Sequence, residues 1–431
     1  MRALSSPAAR ALRLTLTPVA LTLCSAAPGI AQLPSTDALA LGRGGEAALT
    51  PEAGLSGSPA ALAGAQGWAG TILPFEARLG LGPITGRDLA RTGDDALSAP
   101  LREGWLQRVE RTGSQTGGLH TSITALALRR GNLSLQLSTV GTASMVLAPG
   151  AVELLLFGNA GRTGDPADLK LAGSVMEGAL VSTAGIGWGV HLRPELSVGL
   201  RGHLSIGHAA LVGRDGGTLL DEDAGVAVRF PTLSGVEAGR AGFGVGLDAG
   251  VRWVTVRSAT EITLYNAAST FEWSLDALEW RPGETLIRGN GVESDFDPRP
   301  GSTAPLLLRA QLGDMVPAAR LEIEHIHQLS PNWSLRGTFR EVLGEGLDLG
   351  RASLRAVGGE WSGGRSEPGS SAPAPFTFAT HLGSTEGRLQ MGIGGRVGLG
   401  GWLISAGWTG MRAKEVNSSL YAFSFSYSGG T

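Results

Sequence analysis

The sequence predicts an all-β chain, an antiparallel transmembrane β-barrel of about fourteen strands. Three observations predict it. Apolar and polar residues alternate with period two along much of the chain, which places them on opposite strand faces. The alternating segments run about 9–14 residues, the length of a tilted spanning strand rather than the usual 5–6. The face opposite the apolar one is rich in glycine, arginine and carboxylates, as a narrow wet lumen requires. A soluble sandwich would alternate too, hiding its apolar face in a core. It would not need strands of that length, nor aromatics such as Trp402 and Trp408 on one face about 20 Å apart along a strand.

Composition agrees. Glycine supplies 67 of 431 residues, roughly 16% against about 7% in an average globular chain. Hydrophobic residues make up 42% and charged residues 17%, too apolar and too weakly charged for disorder. A net charge of -3 without a basic run argues against a nucleic-acid partner. The sole cysteine, Cys24, can build neither a disulfide framework nor a cysteine zinc site.

The first 31 residues read as an export signal. Arg2, Arg10 and Arg13 form a positive start, Leu14 to Leu23 a short apolar stretch, and Gly29-Ile30-Ala31 a small-residue site that predicts cleavage before Gln32. The stretch is short for a spanning helix, and no later run reaches 18 uninterrupted apolar residues. Export leads either to a soluble β protein or to an outer-membrane barrel, and the alternation favours the barrel.

Fifteen segments qualify as strands: 68–81, 119–129, 132–140, 183–193, 196–209, 242–257, 260–273, 305–313, 318–329, 332–342, 348–357, 375–384, 387–399, 401–412 and 418–428. Bacterial single-chain barrels have even counts, and 348–357 is the weakest, leaving fourteen. In 242–257, Phe243, Val245, Leu247, Val251 and Trp253 oppose Gly244, Gly246, Asp248, Gly250 and Arg252. In 132–140, leucines 133, 135 and 137 oppose Asn132, Ser134, Gln136 and Ser138. Tight turns are expected at Arg130-Gly131, Pro194-Glu195, Ser330-Pro331 and Gly400-Gly401, and long connections at 82–118, 210–241, 276–304 and 358–374.

Before the first strand stand Leu41-Gly42-Arg43-Gly44-Gly45-Glu46-Ala47 and then Gly57-Ser58-Pro59-Ala60-Ala61-Leu62. This pair of motifs resembles the amino-terminal signature of barrels related to the long-chain fatty-acid transporter, where a G-x-G-G-A-like run precedes an Asn-Pro-Ala turn. The short helical segment Ser98 to Val109 and the hairpin 183–209 resemble an uncharacterised branch of that superfamily. The resemblance implies an outer-membrane barrel (67–431) whose segment 32–66 folds into the periplasmic mouth as a plug or hatch, with Gly42, Gly44, Gly45, Ser58, Pro59 and Ala60 as its marker residues. It departs from the pattern at Ser58, where asparagine is usual, and at Arg43, where an apolar residue is usual.

Strand parity points Arg201, His203, Asp248, Arg252, Arg309, Gln311, Arg336, Arg340, Arg388 and Arg396 into the lumen. Such residues either draw anionic solutes inward or pair with Glu76, Asp248, Glu322, Glu324 and Glu341 to fill a narrow barrel. Glu322, Glu324, His325 and His327 are the only cluster of metal-ligand types, but the glutamates and histidines fall on opposite faces, short of a metal's ligand set. His191, His203, Ser197 and Ser205 share the lumen face without making a catalytic constellation. No enzyme activity, cofactor or metal is expected. The expected function is a passive channel or transporter for a small hydrophobic or anionic solute. The alternatives are a scaffold barrel that docks a periplasmic or surface partner and, more weakly, a soluble exported β-sandwich that binds ligands. The expected partners are outer-membrane lipid and the barrel-insertion machinery.

Overall fold

The computed structural model describes residues 39–40, 57–65, 67–92, 97–158, 162–164, 171–221, 225–236, 240–288, 291–343, 353–363, 376–385, 388–399, 402–412 and 417–429. Fourteen antiparallel strands build one wall. They are β1 (Trp68–Gly82), β2 (Gln115–Arg130), β3 (Leu133–Leu147), β4 (Val175–Arg193), β5 (Leu196–Arg214), β6 (Gly242–Val254) and β7 (Ser258–Ser269). The second half holds β8 (Ala319–Ser330), β9 (Trp333–Leu343), β10 (Leu354–Gly363), β11 (Phe376–Thr385), β12 (Arg388–Leu399), β13 (Trp402–Arg412) and β14 (Asn417–Gly429). Each pairs with the next, and β14 returns to β1 with Trp68 opposite Gly429 and Leu81 opposite Asn417. The sheet therefore closes, which removes every edge.

Burial follows the alternation. On β6, Phe243, Val245, Leu247, Val251 and Trp253 are exposed, while Gly244, Asp248, Gly250 and Arg252 are buried. β3 repeats this, with leucines 133, 135 and 137 exposed and Ser134, Gln136 and Ser138 buried. An apolar surface of this extent is costly in water and satisfied in lipid. Aromatics gather at the end where the chain enters β1: Trp68 and Trp402 both lie 5.0 Å or less from Tyr427, and Trp402 stacks on Phe425. Among the described residues no helix is long and apolar enough to cross a membrane.

The strand in excess is 305–313, not 348–357. Residues Leu306–Asp314 form a helix, and β10 runs from Leu354 to Gly363. The apolar residues that bury there, Leu308, Leu312 and Met315, recur at three- and four-residue spacing, so a helix unites them on one face where a strand would scatter them. Arg309 is consequently an exposed helix residue rather than a lumen residue on a strand. That helix, α4 when counted after α1 (Gly86–Thr92), α2 (Ala99–Thr112) and α3 (Pro149–Phe157), packs on Ala179 and Val181 of β4 and Ala210 and Val212 of β5. The expected helix after Ser98 is α2, closed by Gly113 at φ 86.

Short turns at 131–132, 194–195, 255–257 and 331–332 share the end where the chain enters β1. The connection expected at 358–374 begins later than its sequence suggests, because β10 runs on to Gly363, and its remainder falls outside the described residues. The helices sit at the other end. There α2 and α3 share a core of Ile84, Trp105, Leu106, Val109 and Val152.

Candidate functional site

The barrel interior is the candidate site, and two arrangements define it. The first is a charged sector spanning β5 to β10. Arg201 on β5 lies opposite Asp248 on β6, and their side chains meet at 3.6 Å with Arg201 only 1% exposed. His203 reaches the same carboxylate at 3.8 Å. Asp248 also accepts the amide of Asn266 at 2.7 Å. Asn266 can present that amide because β7 breaks register between Leu264 and Ala268, with Asn266 itself at φ 54.

The sector continues with Arg252 against Glu261 at 3.0 Å, and with Arg340 and Arg320 on the two oxygens of Glu322 at 2.7 and 3.3 Å. Arg320 lies over the Tyr265 ring at 4.1 Å. Arg336 meets Glu360 at 3.0 Å. Pairing is what makes these charges tolerable, since a buried ion left alone would carry a desolvation cost of several kcal/mol.

Of the residues singled out from sequence, Arg201, His203, Asp248, Arg252, Arg336 and Arg340 are all buried in this sector. Arg396 is half-buried on β12 and donates to Thr377 at 3.5 Å. Arg388 shares its parity but is exposed at the start of that strand. Gln311, expected in the lumen on a strand, instead donates from α4 to Glu177 at 3.0 Å. Glu341, expected as an arginine partner, has the opposite parity to Arg340 and falls on the outer face. Arg320, Glu261 and Glu360 were missed. Parity with Glu322 would have found Arg320, whereas Glu360 lay in an expected loop.

The second arrangement is a seat for the chain before β1. Pro59–Leu62 forms a buried 3-10 turn capped by Ser58, whose hydroxyl accepts the Ala60 amide at 3.3 Å. The turn rests on glycines of three neighbouring strands. A Cβ at Gly189 of β4 would stand 2.7 Å from both the Ala63 nitrogen and the Pro59 oxygen, and one at Gly199 of β5 would overlap the Pro59 backbone. A Cβ at Gly250 of β6 would meet the Ser58 hydroxyl. Arg201 donates to the Gly57 carbonyl at 2.8 Å, tying this segment to the charged sector. Ser58, Pro59 and Ala60 thus lie inside the wall, while Gly42, Gly44 and Gly45 fall outside the described residues.

Among the described residues no group of three or more metal-ligand side chains assembles. Glu322 and Glu324 are buried, and His325 and His327 are exposed on the other face, His325 bonded to Thr260 at 2.9 Å. Ser197 and His191 meet at 3.0 Å without a carboxylate on His191 among the described residues.

No family model matches the chain, and no curated protein matches it. Solved structures do. The toluene transporter TbuX of Ralstonia pickettii aligns over 92% of this chain and 98% of its own, at TM-score 0.53 and 11% identity. CymD, a monoaromatic hydrocarbon channel, aligns over 93% of this chain and 100% of its own, at TM-score 0.50 and 12% identity. The chain therefore has the closed fourteen-strand fold of these hydrocarbon-transport barrels.

Proposed function

We propose that the chain is an outer-membrane conduit for a small solute, with the segment before β1 seated in its lumen as a plug. One observation carries the reading: a closed wall, apolar outside and polar inside, encloses a turn of its own chain. A scaffold would need the closed wall but not the glycines that make room for that turn. The shared fold with TbuX and CymD supports transport over catalysis. Export through the first 31 residues, with cleavage before Gln32, belongs to the same reading, and amino-terminal sequencing of the membrane-inserted protein tests it.

The decisive experiment is conductance in planar bilayers. The full chain and a deletion of residues 32–64 are compared after heat-modifiable gel mobility has verified folding. Deletion should raise the conductance. A folded barrel that stays silent with and without the segment would refute the conduit.

A further inference from the structure

On the outer face of β3–β5, three polar side chains are bonded in series. Thr139 meets Ser182 at 2.8 Å, and Ser182 meets Nε2 of His208 at 2.8 Å. All three are half-buried rather than sealed. Their outward neighbours on the same strands, Leu135, Leu137, Ile186 and Leu200, are exposed and apolar. A break in register places the histidine. Val181 pairs with Gly207 and Leu180 with Ala209, so His208 is the extra residue of a bulge, a device that re-aims a side chain.

The level of the trio follows from β6. Ser182 lies opposite Ile206, and Ile206 opposite Phe243. Phe243 and Trp253 both point outward from β6. At ~3.3 Å per residue and a tilt of about 40°, they are roughly 25 Å apart in height, the span of an outward apolar band. Trp253 lies beside the short turn at 255–257, so Phe243 and the trio stand at the opposite boundary, where lipid headgroups join acyl chains. The β5–β6 ladder ends there too, at Gly207 opposite Gly242.

We infer that Ser182 and His208 are the nucleophile and base of an acyl-ester hydrolase that acts on membrane lipid from the outer face of the wall. A serine hydroxyl is a weak nucleophile until a base within about 2.6–3.2 Å takes its proton. Ser182 Oγ attacks the carbonyl carbon of a lipid ester, and its proton passes to His208 Nε2. The ester C–O bond breaks, His208 returns that proton to the departing alcohol oxygen, and an acyl-serine remains. Water, giving a proton to His208, then cleaves the acyl-serine, which releases the fatty acid and restores Ser182. Thr139 holds the serine hydroxyl from the other side. The contact of Ser197 with His191 faces the lumen, with Ser197 2% exposed, away from lipid. The inference depends on the outward face meeting lipid and not on the conduit reading.

The test uses the full chain, folded by heat-modifiable mobility, in vesicles of phosphatidylethanolamine and phosphatidylglycerol. One sample is treated with a fluorophosphonate probe and mapped by peptide mass spectrometry; a second is assayed for free fatty acid. Covalent labelling of Ser182 and release of fatty acid are both expected. Ser182→Ala should lose both, and His208→Gln should slow both by about 10²–10⁴-fold. Ser197→Ala should retain both. If Ser182→Ala fails to fold, His208→Gln carries the test. A folded parent that fails to label at Ser182 or to release fatty acid, or a folded Ser182→Ala or His208→Gln variant that matches the parent, overturns the hydrolase. Bilayer conductance of the Ser182→Ala barrel should equal that of the parent, so failure of the hydrolase and failure of the conduit are read apart.

Discussion

Replacing Gly189 with alanine should unseat the amino-terminal turn. The new Cβ would stand 2.7 Å from the Ala63 nitrogen and 2.7 Å from the Pro59 oxygen, against about 3.5–4.0 Å for an unstrained carbon contact. Main chain lies on both sides, so no side chain can swing away, and the turn itself must move by roughly 1 Å. Overpacking of this kind costs about 1–3 kcal/mol. At 1.4 kcal/mol per decade, that raises the unseated population about 5- to 150-fold. Ser58 reports it, being 3% exposed when seated. In a Cys24→Ala background, Ser58→Cys should react with a membrane-impermeant maleimide faster by that factor once Gly189→Ala is added. Gly202 on β5 provides the control, because a Cβ there meets nothing within 4 Å. Equal labelling rates in the folded parent and the Gly189→Ala variant would refute the seat.

Arg201→Leu should destabilise the barrel by up to about 3–5 kcal/mol in urea titrations from lipid, because it leaves the Asp248 carboxylate buried without its guanidinium. Adding Asp248→Leu should recover much of that loss, and a double variant as unstable as the two losses summed would sink the pair as a unit. Glu322→Gln should cost a similar amount by the same assay, since both Arg320 and Arg340 lose their counter-charge. Ile393→Arg, outward at the middle of β12, should cost about 2–4 kcal/mol of folding into lipid; a neutral outcome would mean that face does not meet lipid. At the far end, burial acts to raise the Asp88 carboxyl, but the Thr85 amide and hydroxyl and Arg108 outweigh it and hold it below its ordinary value of 3.8. The folded value is depressed, so its contribution is present above the ordinary value and fades as pH falls through the folded one. Amide protection factors in α1 and α2, taken relative to intrinsic exchange at each pH, should therefore fall at strongly acid pH in the parent and lose that dependence in Asp88→Asn.

Much of the wall was legible because lipid and lumen impose period two on every spanning residue. Leu133 to Ser138 could be assigned to faces from sequence alone, and the structure buries and exposes them accordingly. The failures fall where that constraint lapses. Residues 306–314 form no strand of the wall, and their LLLRAQLGD run is too short for period to separate helix from strand. β10 was misplaced because Gly358-Gly359-Glu360 looks like turn chemistry, although inside a barrel glycine also serves where strands lie close. The site was half legible. Parity points a side chain inward, but which carboxylate it finds depends on register and bulges. Asn266 reaches Asp248 only through a break in β7 that no local pattern announces.

The charged sector and the seat of the turn constrain one another. Ion pairs run from Arg201 to Glu360 across β5–β10. The turn sits where that sector begins: it spans glycines on β4, β5 and β6, and the Gly57 carbonyl takes one bond of Arg201. Arg201 also pairs with Asp248, so releasing the turn would break its hydrogen bond to Gly57 while a counter-charge stays beside the guanidinium. Had the turn been held by a carboxylate of its own, its departure would have left a buried ion behind. The seat therefore combines close packing with a polar tie that brings no charge of its own, which fits the proposed role of a segment released without unfolding the wall around it.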